Sequence, residues 1–240
     1  MFDFAPNLIS QALLGAFNVR LFVDYKDRIP EDAAVVVVSN HRSFMDAPVL
    51  IEALEQPVHI ACHRYMGQIP VMREFVKLLG CFPLEKPEQR LQGFFDKATE
   101  LLQQRQWVGI FPEGTQPMVQ VTQPYKVGKF HRGFAHLAYR ASVPNLVVLP
   151  VAIASQSEEN RWAVPLRFLR LFDPTEPLFD RSGLHPAVIY HHVKVLVGRP
   201  YWITDAQRQD YQGKEGKNLV NDLNEYCRKE IVSLLREGYR

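Results

Sequence analysis

The sequence is short of three things. It has only 3 cysteines, Cys62, Cys81 and Cys227, and none forms a Cys-x-x-Cys pair. So sparse and odd a set argues against a disulfide framework and fits a reducing compartment. It has no long apolar run either. The longest, Leu146 to Ala154, contains Pro150, whereas a membrane-spanning helix needs about 20 apolar residues. Finally, it has no excess of one charge: 28 Lys+Arg stand against 26 Asp+Glu, a formal +2. That balance argues against nucleic acid as a partner, since a dedicated binder carries a strongly basic face. The opening residues Met1-Phe2-Asp3 lack the basic run of a secretory leader. A cytoplasmic protein is expected, one that does not span a membrane but can touch one.

What is present is a core. Hydrophobic residues make up 47% of the 240 and charged residues 22%, a balance that excludes disorder. Ala33 to Ser39, Val58 to Cys62, Cys81 to Leu84, Trp107 to Phe111, Leu146 to Ala154 and Ala187 to Val197 read as strands. Helices are expected over about 44–55, up to Gly80, 89–106 and 133–142. A C-terminal amphipathic helix is marked by Leu219, Leu223, Tyr226, Cys227, Ile231, Leu234 and Leu235. Alternating strands and helices predict an α/β fold: a single domain over 1–240, with a mixed central sheet flanked by helices on both faces. Within it, 1–22 is expected to be an amphipathic N-terminal helix, 23–205 the core and 206–240 the C-terminal helix.

Two segments have a membrane-like character. Over residues 4–22, Asn7, Gln11, Gly15 and Asn18 share one narrow stripe at helical spacing, and apolar residues cover the remainder. Such a helix is either packed in the fold or laid in a membrane interface. Residues 155–186 show no clean period and read as a long connection. There Arg161, Arg167 and Arg170 alternate with Trp162, Phe168, Leu171 and Phe172, a pattern that suits an anionic membrane surface or a docked loop.

Chemistry concentrates at two strand ends. Asn40-His41-Arg42-Ser43-Phe44-Met45-Asp46 follows the strand ending at Ser39, and ligands of open α/β sheets bind outside the carboxyl ends of strands. A histidine there can act as a general base. Asp46, if it opens the next helix, can turn back to orient it. The same residues also read as a helix start, with Ser43 as N-cap and Asp46 at the positive helix end. Phe111-Pro112-Glu113-Gly114-Thr115 follows another strand; Pro112 ends it and Gly114 permits a tight turn.

Together and in this order, the two segments resemble the first and third motifs of the glycerolipid acyltransferase family. That family includes the lysophosphatidic acid and glycerol-3-phosphate acyltransferases. Leu79-Gly80-Cys81-Phe82-Pro83-Leu84 and Leu149-Pro150-Val151 resemble its second and fourth motifs. Phe130-His131-Arg132-Gly133 is similar to a Phe-Lys-x-Gly segment, and Gly198-Arg199-Pro200 to a Gly-x-Pro. The likeness spans roughly residues 20–205.

The resemblance implies an O-acyltransferase. His41 would deprotonate an acceptor hydroxyl as it attacks an acyl thioester, and Asp46 would orient His41. Asn40, Ser43, Lys86, Glu113, Gly114, Thr115 and Lys129 would bind substrate. The donor would be acyl-CoA or an acyl-carrier protein, used as co-substrate; no other cofactor and no metal is implied. The implied acceptor is a lysophospholipid, foremost 1-acylglycerol-3-phosphate, or a glycerol phosphate, met by peripheral, monotopic attachment to a membrane surface. Three departures touch the acceptor. Gln116 and Glu85-Lys86 stand where family members carry arginine, and His131 stands where they carry lysine. Gln cannot reproduce the bidentate grip of Arg on phosphate. Lys86, Lys126, Lys129 and Arg132 could supply that charge, and a non-phosphate acceptor or thioester hydrolysis at the same pair stays open.

Other patterns carry less. His59-x-x-Cys62-His63 has a metal-like spacing but lacks a partner cluster. His191-His192, in a strand, points to both faces. The Gly-Lys pairs Gly128-Lys129 and Gly213-Lys214 lack the rest of a phosphate loop.

Overall fold

The computed structural model describes residues 5–86, 88–114, 123–172, 174, 177–180 and 183–240. Helix α1 (Ala5–Ala16) leads into strand β1 (Arg20–Asp24) and then β2 (Ala34–Ser39). The chain continues through α2 (Asp46–Leu54), β3 (Val58–Cys62), α3 (Pro70–Leu78), β4 (Phe82–Pro83), α4 (Arg90–Gln103) and β5 (Trp107–Ile110). Then follow α5 (Gly133–Arg140), β6 (Leu146–Pro165), α6 (Leu166–Leu169), β7 (Leu184–Val197), β8 (Tyr201–Trp202), α7 (Asp205–Gln212) and α8 (Gly216–Gly238). Among the described residues the strands form one sheet in the order β1-β7-β6-β2-β5-β3-β4, with β8 on β6.

Strand β2 shows why the sheet sits at the centre. All six of its residues are buried, as the unbroken apolar run requires of a strand covered on both faces. Ala34, Val36 and Val38 pack with residues of α4, α5 and α8. Val35 and Val37 pack on the other face with Leu14 of α1, residues of α2, and Leu79 just after α3. The single α/β domain with a mixed, helix-flanked sheet is thus present. β2 runs parallel to β5 and β6, while β6 and β7 are antiparallel.

Besides dividing the expected C-terminal helix over 206–240 into α7 and α8 at Gly213, the structure corrects the sequence reading in two places. Helix α1 ends at Ala16, not near 22. Asn18 takes a left-handed φ of 53°, which its short polar side chain tolerates, and Val19 N–H closes on Leu14 O at 2.9 Å. Arg20–Asp24 is then a strand, paired in parallel with His192–Leu196 of β7, so the core begins before residue 23. The second correction is larger. Residues 155–165 are not a connection but a continuation of β6, antiparallel to β7 from Leu184 onward. Irregular register between Ser155 and Glu158 disturbs the alternation that a pattern search relies on. The resulting hairpin rises past the end of β2, over the loop that follows it.

Candidate active site

The parallel strands β2 and β5 are neighbours, so the loops leaving their carboxyl ends meet at one edge of the sheet. The loop after β2 is held almost entirely by the β6–β7 hairpin. Asn40 pairs with the backbone of Ile153 as a strand residue would: its Nδ2 donates to the carbonyl at 3.0 Å and its Oδ1 accepts the N–H at 2.8 Å. Arg42 and Glu158 form a buried, forked ion pair, with Nε 2.7 Å from Oε2. Ser43 Oγ donates to Val188 O at 2.6 Å and accepts the Met45 N–H at 3.0 Å. The position before the first helical residue is Met45, not Ser43, and its side chain makes no capping bond.

Asp46 opens α2 and is fully buried. Its Oδ2 accepts the N–H groups of Arg42, at 2.6 Å, and Ser43, at 2.8 Å. The same oxygen lies 2.8 Å from His41 Nδ1. Its Oδ1 accepts the hydroxyl of Tyr190 at 2.6 Å. Burial, and next the Asp46 charge, push the Tyr190 hydroxyl well above its ordinary range, so it stays a donor. With Asp46 accepting at both oxygens, the geometry assigns the proton to Nδ1 and the lone pair to Nε2 of His41. Among the described residues, Nε2 has no hydrogen-bond partner. The ring is fixed from the side by Phe111, stacked at 4.3 Å and 9°. The carboxylate that opens α2 is thus also the one that holds His41 Nδ1.

Glu113 ties the second loop to the first. Its Oε1 accepts the His41 N–H at 3.0 Å, and its Oε2 accepts the N–H of Gly128. A β-carbon at 128 would sit 2.8 Å from Oε2, so this close approach needs glycine. Gly114 turns the chain with φ +67°. Burial raises the Glu113 carboxyl above its usual range, against the two amide bonds and the neighbouring His41, which lower it.

The structure thus gathers His41, Asp46, Asn40, Ser43, Glu113 and Gly114 at one sheet edge. The polar side-chain atoms of Asn40 and Ser43, and both oxygens of Glu113, are engaged by this protein's own backbone. These bonds shape and hold the two loops. Lys129 follows Gly128 at the rim and is exposed; Lys86 is exposed beyond β4, two strands from β5. Thr115 and Gln116 lie outside the described residues. Tyr190, Gly128, Glu158 and Ile153 are the partners the sequence reading missed. Gly128 was visible only as half of a Gly-Lys pair, and nothing local marks Tyr190, which reaches Asp46 through the hairpin alone.

The metal-like spacing dissolves. His59 Nδ1 contacts Gly80 O at 2.7 Å, whereas His63 Nδ1 accepts the Tyr65 N–H at 3.4 Å. Among the described residues no group of three or more His, Cys, Asp or Glu side chains could hold a metal ion.

A histidine with an oriented Nε2 lone pair beside a buried carboxylate, on an α/β sheet edge, is an arrangement suited to general-base transfer or hydrolysis. The acyltransferase family model matches residues 20–154, and the chain belongs to that family. It is similar to a probable 1-acyl-sn-glycerol-3-phosphate acyltransferase of Mycoplasma genitalium, 27% identical over 58% of this chain and 52% of that protein. It is likewise similar to the 1-acyl-sn-glycerol-3-phosphate acyltransferase of Pseudomonas aeruginosa, 30% identical over 56% of this chain and 49% of that protein. The chain therefore spans about half the length of these curated relatives. In fold it matches the crystal structure of the 1-acyl-sn-glycerophosphate acyltransferase PlsC from Thermotoga maritima. The TM-score is 0.59 and the identity 17%, over 97% of this chain and 77% of that one.

Proposed function

We propose that the protein transfers an acyl group from an acyl thioester, acyl-CoA or acyl-carrier protein, to a lysophospholipid hydroxyl, foremost that of 1-acylglycerol-3-phosphate. One observation carries the chemistry: His41 Nδ1 is fixed on buried Asp46 at 2.8 Å, while Nε2 has no hydrogen-bond partner among the described residues. In this reading Nε2 takes the hydroxyl proton as the acceptor oxygen bonds to the thioester carbon. Asp46 balances the resulting imidazolium. The tetrahedral oxyanion then collapses, the C–S bond breaks, and the imidazolium returns its proton to the leaving thiolate, so the histidine is regenerated. No covalent acyl-protein step is needed. The relatives' names support the acceptor. Lys129, exposed beside Gly128, and Lys86, exposed beyond β4, would meet its phosphate.

The substrate is amphiphilic, and among the described residues no helix is long and apolar enough to cross a membrane. We place the protein peripherally, on the membrane surface, through α1 and the segment around α6. The test is a donor and acceptor panel read by mass spectrometry. Acylated lysophosphatidate is expected from the unmodified protein and none from His41→Ala. Thioester cleavage that no alcohol redirects would mean hydrolysis instead, and full transfer by His41→Ala would overturn the mechanism.

A further inference from the structure

Away from the loop edge, α5, α7 and α8 line an open surface cavity of about 350 Å³, within the size range of small-ligand sites. Its wall is cationic. Arg132, His136 and Arg140 fall on one face of α5 at four-residue steps, and Lys217 faces them from the first turn of α8, with Tyr211 and Val220 completing the lining. The Tyr211 hydroxyl accepts Arg140 Nε at 3.0 Å and lies 2.9 Å from His136 Nδ1. Burial, then the charges of Arg140 and Arg132, hold His136 below its ordinary range. Among the described residues no carboxylate pairs with Arg132, Arg140 or Lys217, although Lys26, Arg73, Lys97, Arg161, Arg170 and Lys229 all have acidic partners. The adjacent acid, Glu215, accepts an N–H of Asn218. Cations converging on a cavity without a counter-ion mark an anion site.

The position of this cavity restricts the anion. Arg132 follows His131, whose N–H donates to Pro112 O at 2.8 Å, so α5 starts at the catalytic loop. From there to Arg140 the chain descends about 12 Å. On α8, Arg228 Nε reaches the carbonyl of Gly128 at 3.4 Å, and Gly128 N–H binds Glu113. Lys217 lies about 16 Å down the same helix. Arg132 thus stands at the end of this line beside the loop, whereas Arg140 and Lys217 lie about one helix length further on, outside direct reach of an acceptor bound at His41. A thioester carried on a pantetheine arm has this layout, with its phosphates well removed from its sulfur.

We propose that this cavity binds the phosphate-rich nucleotide end of CoA, with Arg132, Arg140 and Lys217 as its phosphate contacts. The proposal rests on the acyl-transfer reading for its purpose but is tested without it. Calorimetry with CoA, 3′-dephospho-CoA and pantetheine is run on the unmodified protein, Arg132→Ala and Lys217→Ala, with thermal unfolding as the check on folding. Both side chains are exposed, so neither variant removes core packing. CoA is expected to bind the unmodified protein, with affinity falling tenfold or more in each variant; pantetheine should not distinguish the three proteins. In turnover, KM for acyl-CoA should rise in both variants, while kcat and the acceptor KM hold in Lys217→Ala. Absent CoA binding, or unchanged CoA affinity in the double variant, overturns the proposal. So does loss of binding to phosphatidate vesicles with CoA affinity kept, which would reassign these cations to the membrane. If CoA binds through them but no acyl group moves, the cavity stands and the acyl-transfer reading falls. If acyl-carrier protein alone serves as donor, the reverse holds.

Discussion

Tyr190 donates its hydroxyl to Asp46 Oδ1 at 2.6 Å, and both side chains are fully buried. The bond spreads the carboxylate charge that faces His41. In Tyr190→Phe that charge has one donor fewer and holds the imidazolium more firmly. The effect should appear in kcat, with KM for both substrates unchanged. The other charged groups around the dyad, Glu113, Arg42 and Glu158, are unaltered by the substitution. Leaving Oδ1 unpaired also costs about 1.5–3 kcal/mol of folding stability, which the unfolding temperature reads separately. A purely structural role would lower the unfolding temperature and leave kcat per folded molecule unchanged.

Asp46→Asn and Asp46→Ala should separate orientation from folding. Asparagine can keep one oxygen toward the Arg42 and Ser43 amides but no longer carries the charge that balances His41. Transfer should fall on the order of a thousandfold or more with the fold retained. Alanine orphans two buried amides and the Tyr190 hydroxyl, and should also lower stability by about 2 kcal/mol or more. Activity and denaturant midpoints of the two variants, measured side by side, check this. Equal activity in Asp46→Asn and the unmodified protein would remove Asp46 from the mechanism.

The sequence shows the dyad and conceals its support. β2 is legible because an unbroken β-branched run has few alternatives to a buried strand. His41 and Asp46 are legible as a pair because their contact depends on residue type and short spacing. Asn40, Ser43 and Glu113 stand in recognisable motifs, yet what their side chains bond is decided by segments far along the chain: Ile153, Val188 and Gly128. The hairpin that seats the catalytic loop escaped because its register shifts break the period-2 pattern. β1 escaped because a short strand behind an apolar helix continues the helix pattern until Asn18 turns the chain.

Glu113 carries a pH signature. Burial raises its carboxyl above the usual range, so folding favours its protonated form. Its contribution is fully present below the unfolded-state value and declines as pH rises through the raised folded-state range. Glu113→Gln, a neutral isostere, lacks this decline but turns an N–H toward the amide of His41 or Gly128. The unmodified protein should be the more stable of the two at acid pH, with the gap narrowing as pH rises toward neutrality. Unfolding temperatures across that range check the trend; a gap that widens would contradict it.

The thiols should be inert. Burial pushes Cys81 up to about 12 and raises Cys62 and Cys227 further, so the reactive thiolate is scarce at neutral pH. N-ethylmaleimide at neutral pH should leave activity unchanged, and a thiol-titrating reagent should find all three groups only after denaturation. Rapid inactivation by the maleimide would point to a thiol at or beside the site.

Membrane attachment can be tested without dismantling the sheet. Deleting residues 1–22 would remove Arg20, Leu21 and Phe22 from β1, so surface substitutions are cleaner. Helix α1 carries no charged residue from Ala5 to Ala16 and leaves Leu8 63% exposed, while just after α6 Leu171 is 75% exposed. These positions flank α3: α1 packs against that helix, and α6 packs on Tyr65, Met66 and Ile69 immediately before it. An aspartate at either apolar position forfeits roughly 1.5–3 kcal/mol of burial in the interface. Leu8→Asp and Leu171→Asp should therefore each weaken flotation with anionic liposomes about tenfold or more, while activity on micellar, short-chain lysophosphatidate is retained. If both substitutions leave vesicle binding intact, this surface does not face the membrane.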